Sequence, residues 1–498
     1  MPTLLFRPNT RFFSAKLVAY AIIHYFSGAK QSTLFFRSLF FYRLSIPMTD
    51  LIIIGAGPGG YETAVRAAAL GLQTTIIEAA TPGGTCLNQG CIPTKCLCRS
   101  AELLTEAREA ATYGVETGRV SFDLATAITR KDNVVAQLVQ GVRGLLTKPG
   151  ITLIEGHGKI DAEHNVVVEK TDGTHETLQA KHIIIATGSE TKYLPIPGAN
   201  SRDVVTSTEL LAATTLPKRL CVIGGGVIGM EFASIFNAFG SQVSVVEYCK
   251  EILPAIDKDI AKRLRTSMKK RGVDFHVGAA VTAIEELSES SVVVFSEKGK
   301  EQRLEADVVL MAVGRAPRLH GIGLEDAGID FTPRGIHVDN DMQTNVAGIY
   351  AIGDVNGLCP LAHAATFQGY RALHHITAST ARTADLSLVP AAVFTVPEVA
   401  TVGRSEDDLK AAGVACHVGK SFYRANGKSL AMGSDEGMVK LVSGEDGTLL
   451  GCQVLGAHAA DLVHEVAVLM AVGGTVEQLR TTIHAHPTLS ELILSASE

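Results

Sequence analysis

The chain reads as an α/β protein with two open parallel sheets followed by a separate α+β C-terminal domain. Three observations predict this. A short apolar, β-branched run enters a glycine-rich turn at two places, 50–54 and 221–223. Each turn leads into a helix-patterned segment, 61–70 and 230–239, and then into a second strand that ends in an acid, Glu78 or Glu247. From about residue 388 the pattern changes: strands around 393–395, 399–403, 437–442 and 449–455 read as an antiparallel sheet, covered by helices at 405–412, 459–472 and 475–480.

The two turns share one design. Gly55, Gly57 and Gly60 fall at the glycine positions of G-x-G-x-x-G, and Gly224, Gly226 and Gly229 repeat them. The first glycine permits a tight turn, the second lets a pyrophosphate approach the backbone, and the third lets helix and strand pack closely. The helix N-terminus then faces the phosphates. From first glycine to terminal acid is 23 residues in both copies. A lone G-x-G-x-x-G is weak, but a complete unit is specific, and two complete units point to two dinucleotides. Glu78 and Glu247 are placed to accept hydrogen bonds from ribose hydroxyls. No arginine follows Glu247 closely, and its charge would repel a 2′-phosphate, so the second unit is expected to prefer NAD over NADP.

Between and after these units the pattern is regular. Residues 101–111 and 124–146 read as helices, and 152–155 and 165–170 as strands with Gly156 and Gly158 between them. Strand 183–185 ends in a small-residue turn, and residues 273–313 alternate as strands up to Gly314. One more strand and turn, 349–355, carries Asp354, an acid past a strand end that suits hydroxyl binding or simple turn capping.

Composition narrows the function. Hydrophobic content of 46%, charge of 19% and a net charge of −6 suit a large globular enzyme and give no footprint for nucleic acid. Nine cysteines without a regular framework suggest a reducing compartment with most thiols free. Residues 1–47 stand apart: they hold 11 of the 28 Phe and Tyr residues, six Lys or Arg and no acid. The apolar run 17–23 is too short to span a bilayer. This segment reads as an organellar transit peptide or, preferred here, as an upstream start with Met48 the true first residue. The expected location is cytoplasmic, or the mitochondrial matrix if the leader is real.

The chemistry centres on residues 83–95, where Cys86 and Cys91 lie among glycines just after the first unit. The readings open here are two buried thiols, half of a zinc site, or a redox-active disulfide. Zinc usually takes four ligands, and no second cysteine pair at zinc-finger spacing occurs, so no metal is expected. On a regular helix residues five apart rise about 7.5 Å and face about 140° apart. A bond between them therefore requires a break in the helix, which Gly90 and Pro93 make feasible.

The segment Gly-Gly-Thr-Cys-Leu-Asn-Gln-Gly-Cys-Ile-Pro-Thr-Lys resembles the active-site motif of the flavin-dependent pyridine nucleotide–disulfide oxidoreductases. The resemblance runs from about Met48 to the C-terminus and is greatest to members that oxidise dihydrolipoamide with NAD in 2-oxo acid dehydrogenase or glycine cleavage complexes. It implies two Rossmann-like FAD- and NAD(P)-binding domains in a glutathione-reductase-like arrangement, with FAD at 48–190 and 318–387, NAD at 191–317 and a dimerisation domain at 388–498. It implies that Cys86 and Cys91 form the redox disulfide, with Cys86 the interchange thiol and Cys91 nearer the flavin. Lys95 would sit at the flavin ring with Glu231 as its partner. Gly158, Asp354 and Ala362 would join the FAD site, and Val281 and Gly314 the NAD site.

A dithiol reacts as its thiolate, so a base is needed. The segment His484-Ala485-His486-Pro487-Thr488-Leu489-Ser490-Glu491 is similar to the family's catalytic segment. The resemblance makes His486 the base, Glu491 the group that orients it, and the partner subunit's disulfide its target in a homodimer. His484 is expected to be structural, Cys96 and Cys98 to pack silently, and Cys221 and Cys249 to be buried. Expected partners are a second copy and protein-bound lipoyl groups, with no nucleic acid and no membrane. Other members fit less well. Glu247 argues against an NADP-linked glutathione-type reductase, the ending Ser-Ala-Ser-Glu against a mercuric reductase, and the intact cysteine pair against a soluble transhydrogenase. A non-catalytic redox sensor would have lost a catalytic element, and a quinone-linked enzyme would want a longer amphipathic tail.

Overall fold

The computed structural model describes residues 48–498, so both readings of the N-terminal segment lie outside the described residues. The first sheet has five parallel strands in the order Ile151–Ile160, Thr74–Glu78, Met48–Ile54, His175–Ile185, Ile349–Ala351. Side chains alternate across a strand, and both faces of Met48–Ile54 are covered. Leu51 and Ile53 pack under the helices Pro58–Ala69, Leu124–Leu146 and Ala362–Ile376. Ile52 and Ile54 pack under an antiparallel meander formed by Val166–Lys170 and the far ends of Ile151–Ile160 and His175–Ile185. Full burial of each such side chain contributes about 1.5–3 kcal/mol. That two-sided core is why the run shows no polar alternation.

The second sheet repeats the plan. Its parallel order is Asp274–Val277, Gln242–Glu247, Arg219–Ile223, Val308–Met311, Val204–Val205. Helices Val227–Phe239 and Lys258–Lys270 cover one face, and the antiparallel strands Ala279–Glu286, Ser291–Glu297 and Lys300–Ala306 cover the other. A two-stranded ribbon, Ser189–Thr191 with Arg315–Pro317, ties the outgoing chain to the returning one.

The third sheet is antiparallel, in the order Ala391–Val393, Val399–Gly403, Leu449–Leu455, Met438–Ser443, His417–Phe422. Helices Ala459–Ala471 and Glu491–Ser497 pack on it. No helix among the described residues is long and apolar enough to cross a membrane.

Three local expectations are corrected. The helix after the cysteine motif starts at Cys91, ten residues early, because the redox segment is itself helical. Gly156 and Gly158 lie inside a strand rather than between strands; a Cβ on Gly156 would stand 2.5 Å from the Glu169 carbonyl oxygen of the meander, so only glycine fits the pairing. Cys249 is half-buried, because its turn opens onto the central cleft, whereas Cys221 is buried in the sheet.

Candidate active site

Both glycine turns take the same backbone path. Gly55 and Gly224 each have φ +107°, a left-handed conformation that favours glycine. Their N–H groups donate to the carbonyls of Ile77 and Val246 at 2.8 and 2.9 Å. A Cβ on Gly60 would lie 1.9 Å from the Gly55 oxygen, and one on Gly229 would lie 2.0 Å from the Gly224 oxygen, so the third glycine is a packing requirement in both copies. The acids are held alike. Glu78 accepts from Ala56 N at 2.7 Å and Ala80 N at 2.9 Å. Glu247 accepts from Gly225 N and from Cys249 N at 2.6 Å. Each carboxylate is thus fixed at the mouth of its turn, with lone pairs to spare for hydroxyl donors.

A cleft of about 1930 Å³ is lined by both turns. It brings together Gly55, Gly57, Gly60 and Glu78 with Gly224, Gly226 and Glu247. Gly158, Asp354, Ala362, Val281 and Gly314 also line it, as do Cys86, Cys91, Lys95 and Glu231. Gly229 lies beneath the turn rather than on the cleft wall.

The cysteines face each other across a helix break. Cys86 lies in the short helix Gly84–Gln89 and Cys91 opens the helix Cys91–Glu109, with Gly90 between them at φ −142°, ψ −110°. Both thiols are free here. The neighbouring Cys86 thiol first, and then the Lys95 charge, draw Cys91 down to about 7. Cys86 is pushed up by the same neighbour, Cys91, and then by burial. One thiol of the pair is therefore set as the thiolate. By contrast, burial pushes Cys98 up to about 12, and Cys96 is likewise buried.

Lys95 Nζ donates to Glu231 Oε1 and Oε2 at 2.8 and 3.0 Å, joining the cysteine helix to the second glycine-turn helix. Phe394, from the C-terminal domain, completes this point: its N–H donates to Glu231 at 3.0 Å and its ring lies 4.5 Å from Lys95 Nζ. Sequence reasoning missed Phe394, and also a second network. Arg315 Nε donates to Ser189 Oγ at 2.8 Å, and Ser189 Oγ donates to Asp354 at 2.5 Å. Arg315 also reaches Thr85 Oγ1 at 3.5 Å, beside Cys86. The signal was present in Arg315, which directly follows Gly314, but its partners lie more than 100 residues away in sequence.

The C-terminal pair sits elsewhere. His486 Nδ1 lies 2.9 Å from Glu491 Oε1, while Glu491 Oε2 accepts from Thr488 N at 2.9 Å. The Thr488 N–H and then His486 hold the Glu491 carboxyl below its usual range. A carboxylate only accepts, so Nδ1 carries the proton and Nε2 is left as the basic nitrogen. The His486 side chain is 80% exposed and lies off the cleft of its own chain. His484 is buried against Glu465, 2.6 Å away, as a structural residue would be.

The family model described as pyridine nucleotide-disulphide oxidoreductase matches residues 49–369, and the one for that family's dimerisation domain matches 389–497. The chain belongs to the pyridine nucleotide-disulfide oxidoreductase family. It is similar to dihydrolipoyl dehydrogenase of Bacillus subtilis, 39% identical over 459 residues that cover 90% of this chain and 97% of the relative. It is also similar to leghemoglobin reductase of Vigna unguiculata, 37% identical over 489 residues covering 97% and 92%. Among solved structures, LpdA from Mycobacterium tuberculosis superposes with a TM-score of 0.84 at 30% identity, covering 90% of this chain and 99% of that one. The flavoprotein disulfide reductase RclA from Escherichia coli gives 0.81 at 30% identity, covering 90% and 99%.

Proposed function

We propose that the chain oxidises dihydrolipoamide, carried on a partner protein, to lipoamide and passes the electrons to NAD. The observation that carries this reading is the cysteine pair, set across the Gly90 break in the same cleft as two complete glycine turns. Relatives named dihydrolipoyl dehydrogenase support the substrate class.

FAD is assigned to the first turn, within 48–190 and 318–387, where Gly57 leaves backbone room for a pyrophosphate and Glu78 and Asp354 offer acceptors to hydroxyls. Lys95, Gly158 and Ala362 belong to the same wall. FAD bound there supplies the chemistry that joins thiol exchange to hydride exchange. NAD is assigned to the second turn, within 191–317, with Val281 and Gly314 on its wall. The buried Glu247 carboxylate supports NAD over NADP, since a 2′-phosphate beside it would meet like charge. Residues 388–498 are assigned to a homodimer interface. An exposed His486 supports the reading that it serves the partner subunit's cysteines.

The residues then act in order. His486 Nε2, oriented by Glu491, takes a proton from one substrate thiol. The thiolate attacks Cys86 Sγ of the disulfide; the Cys86–Cys91 bond breaks and Cys91 leaves as a thiolate, balanced by Lys95. The second substrate thiol attacks the substrate sulfur bonded to Cys86, and its proton goes to the Cys86 sulfur as that bond breaks. Cys86 is released, the substrate departs as a cyclic disulfide, and the protein holds the two electrons. Glu231 keeps Lys95 in place.

The proposed location is the cytoplasm, or the mitochondrial matrix if residues 1–47 act as a leader. Anaerobic titration of the flavin-loaded protein with dihydrolipoamide tests the function. The expected result is a long-wavelength absorption that requires Cys91, followed by NADH on addition of NAD. A flavin that NADH reduces but dihydrolipoamide does not would point to another disulfide substrate or to a redox sensor.

A further inference from the structure

We infer that Lys440, in the C-terminal sheet, is a positioning residue for the nucleotide at the second glycine turn and acts through Asp257; this rests on the reading that the second turn holds NAD. Lys440 lies within strand Met438–Ser443, far in sequence from either glycine turn. Its side chain is 3% exposed, and its Nζ lies 2.7 Å from Asp257 Oδ2 and 2.7 Å from Glu406 Oε2. A buried cation placed between two carboxylates needs a reason, because burying ions costs more than burying apolar groups of the same shape.

Asp257 supplies the reason. Its Oδ1 caps the helix Lys258–Lys270, accepting from Asp259 N at 3.0 Å and Ile260 N at 3.4 Å, while its Oδ2 is taken by Lys440. The four residues just before it, 253–256, line the cleft of the second turn. At their other end Leu253 N donates to Gly225 O at 2.8 Å, inside the glycine turn itself. This stretch of wall is therefore pinned at two points, one on the turn and one on a different sheet. Leu253 has φ +48°, a left-handed conformation that a bulky non-glycine residue adopts only when its surroundings hold it there. Gly225, Glu247 and Ile252 are packed together behind it: a Cβ on Gly225 would meet Ile252 at 3.0 Å and Glu247 at 3.1 Å. Any release of the 253–257 segment is thus felt at the ribose-binding acid.

The rest of the helix has separate anchors on the C-terminal domain. Lys420 donates to Asp259 at 3.1 Å, and Glu436 accepts from Ser267 at 2.7 Å and Arg271 at 2.8 Å. Removing Lys440 leaves these in place, and at the N-terminal end the Lys258 N–H still donates to Asp407 at 3.4 Å, so its loss frees the Asp257 carboxylate and the cleft wall before it rather than the helix.

The test uses the FAD-loaded enzyme and reads its two halves separately, as flavin reduction by NADH and flavin reduction by dihydrolipoamide. Lys440→Met keeps the aliphatic volume and removes the charge. The expected result is a rise of about tenfold in the NADH dissociation constant, in the usual range for coupling between sites, with the dihydrolipoamide half unchanged. Glu436→Gln, at the outer end of the same helix, is expected to change neither half. If Lys440→Met fails to fold, the double variant Lys440→Met with Asp257→Asn removes both charges while the amide oxygen keeps the cap, and the same rise is expected. An unchanged NADH constant in whichever variant folds overturns the inference, and so does an equal loss in both halves, which marks a merely structural role. A wild-type flavin that NADH does not reduce overturns the NAD reading and this inference with it; a normal wild type beside an unaffected variant overturns the inference alone.

Discussion

At the first glycine turn the cysteine segment lies close over the backbone: a Cβ on Gly84 would stand 2.6 Å from Gly57 Cα. Helix Ala362–Ile376 closes it further, since a Cβ on Gly59 would meet Ala365 at 3.1 Å. At the second turn no atom lies within 4 Å of a Cβ built on Gly226, and Val227 is 45% exposed. The residue matching Gly59 there is Ile228, which no roof excludes. The backbones agree in detail; what differs is the cover. On the proposed assignment the covered turn suits a cofactor held through every turnover, and the open turn suits one that enters and leaves.

The largest effect comes from putting a methyl group into each turn. Gly60→Ala and Gly229→Ala create the same clash with the first glycine's carbonyl, an overpacking cost of about 1–3 kcal/mol, but in turns with different tasks. Gly60→Ala is expected to yield protein without flavin and without any turnover. Gly229→Ala is expected to keep its flavin and its reduction by dihydrolipoamide, and to lose reduction by NADH. Absorbance of the purified variants and the two half-reactions read this directly; equal flavin loss in both would erase the distinction.

A smaller and one-sided effect is expected from the C-terminal pair. His486→Gln should slow reduction by dihydrolipoamide about 10²–10⁴-fold, the usual contribution of a positioned base, and leave reduction by NADH alone. Glu491→Gln should lower the same half by less, because the imidazole remains. A loss in the NADH half would place His486 at the open turn instead.

The smallest effect is a shift in titration. With Cys91 held near 7, against about 8.5 for an ordinary thiol, its thiolate is present above that pH and is lost as the pH falls through it. Alkylation of the reduced protein at Cys91 should follow that midpoint. Lys95→Met removes a charge that favours the thiolate and should move the midpoint up. Glu231→Gln removes a charge that opposes it and should move it down. Shifts of the opposite sign would mean that Lys95 does not act on this sulfur.

The parts of this arrangement legible in the sequence are those written in consecutive residues. The glycine turns, their 23-residue spacing to an acid, the helix break at Gly90 and the buried parallel strands all follow from local sterics and apolar runs. The edge strand His417–Phe422 was not visible, because His-Val-Gly-Lys-Ser-Phe carries little alternation and one glycine. The contacts of Phe394 with Lys95, of Arg315 with Ser189 and Thr85, and of Lys440 with Asp257 were invisible for another reason. Each joins segments far apart in the sequence that only the folded chain brings together, and nothing in the local pattern of either partner records the other.

The difference in cover between the two turns is tested most directly by counting what stays bound. The purified protein, loaded with FAD and NAD and dialysed exhaustively, should retain one FAD per chain and no NAD, and should then rebind NAD at one site per chain. Retention of NAD alongside FAD, or loss of both at similar rates, would contradict the account.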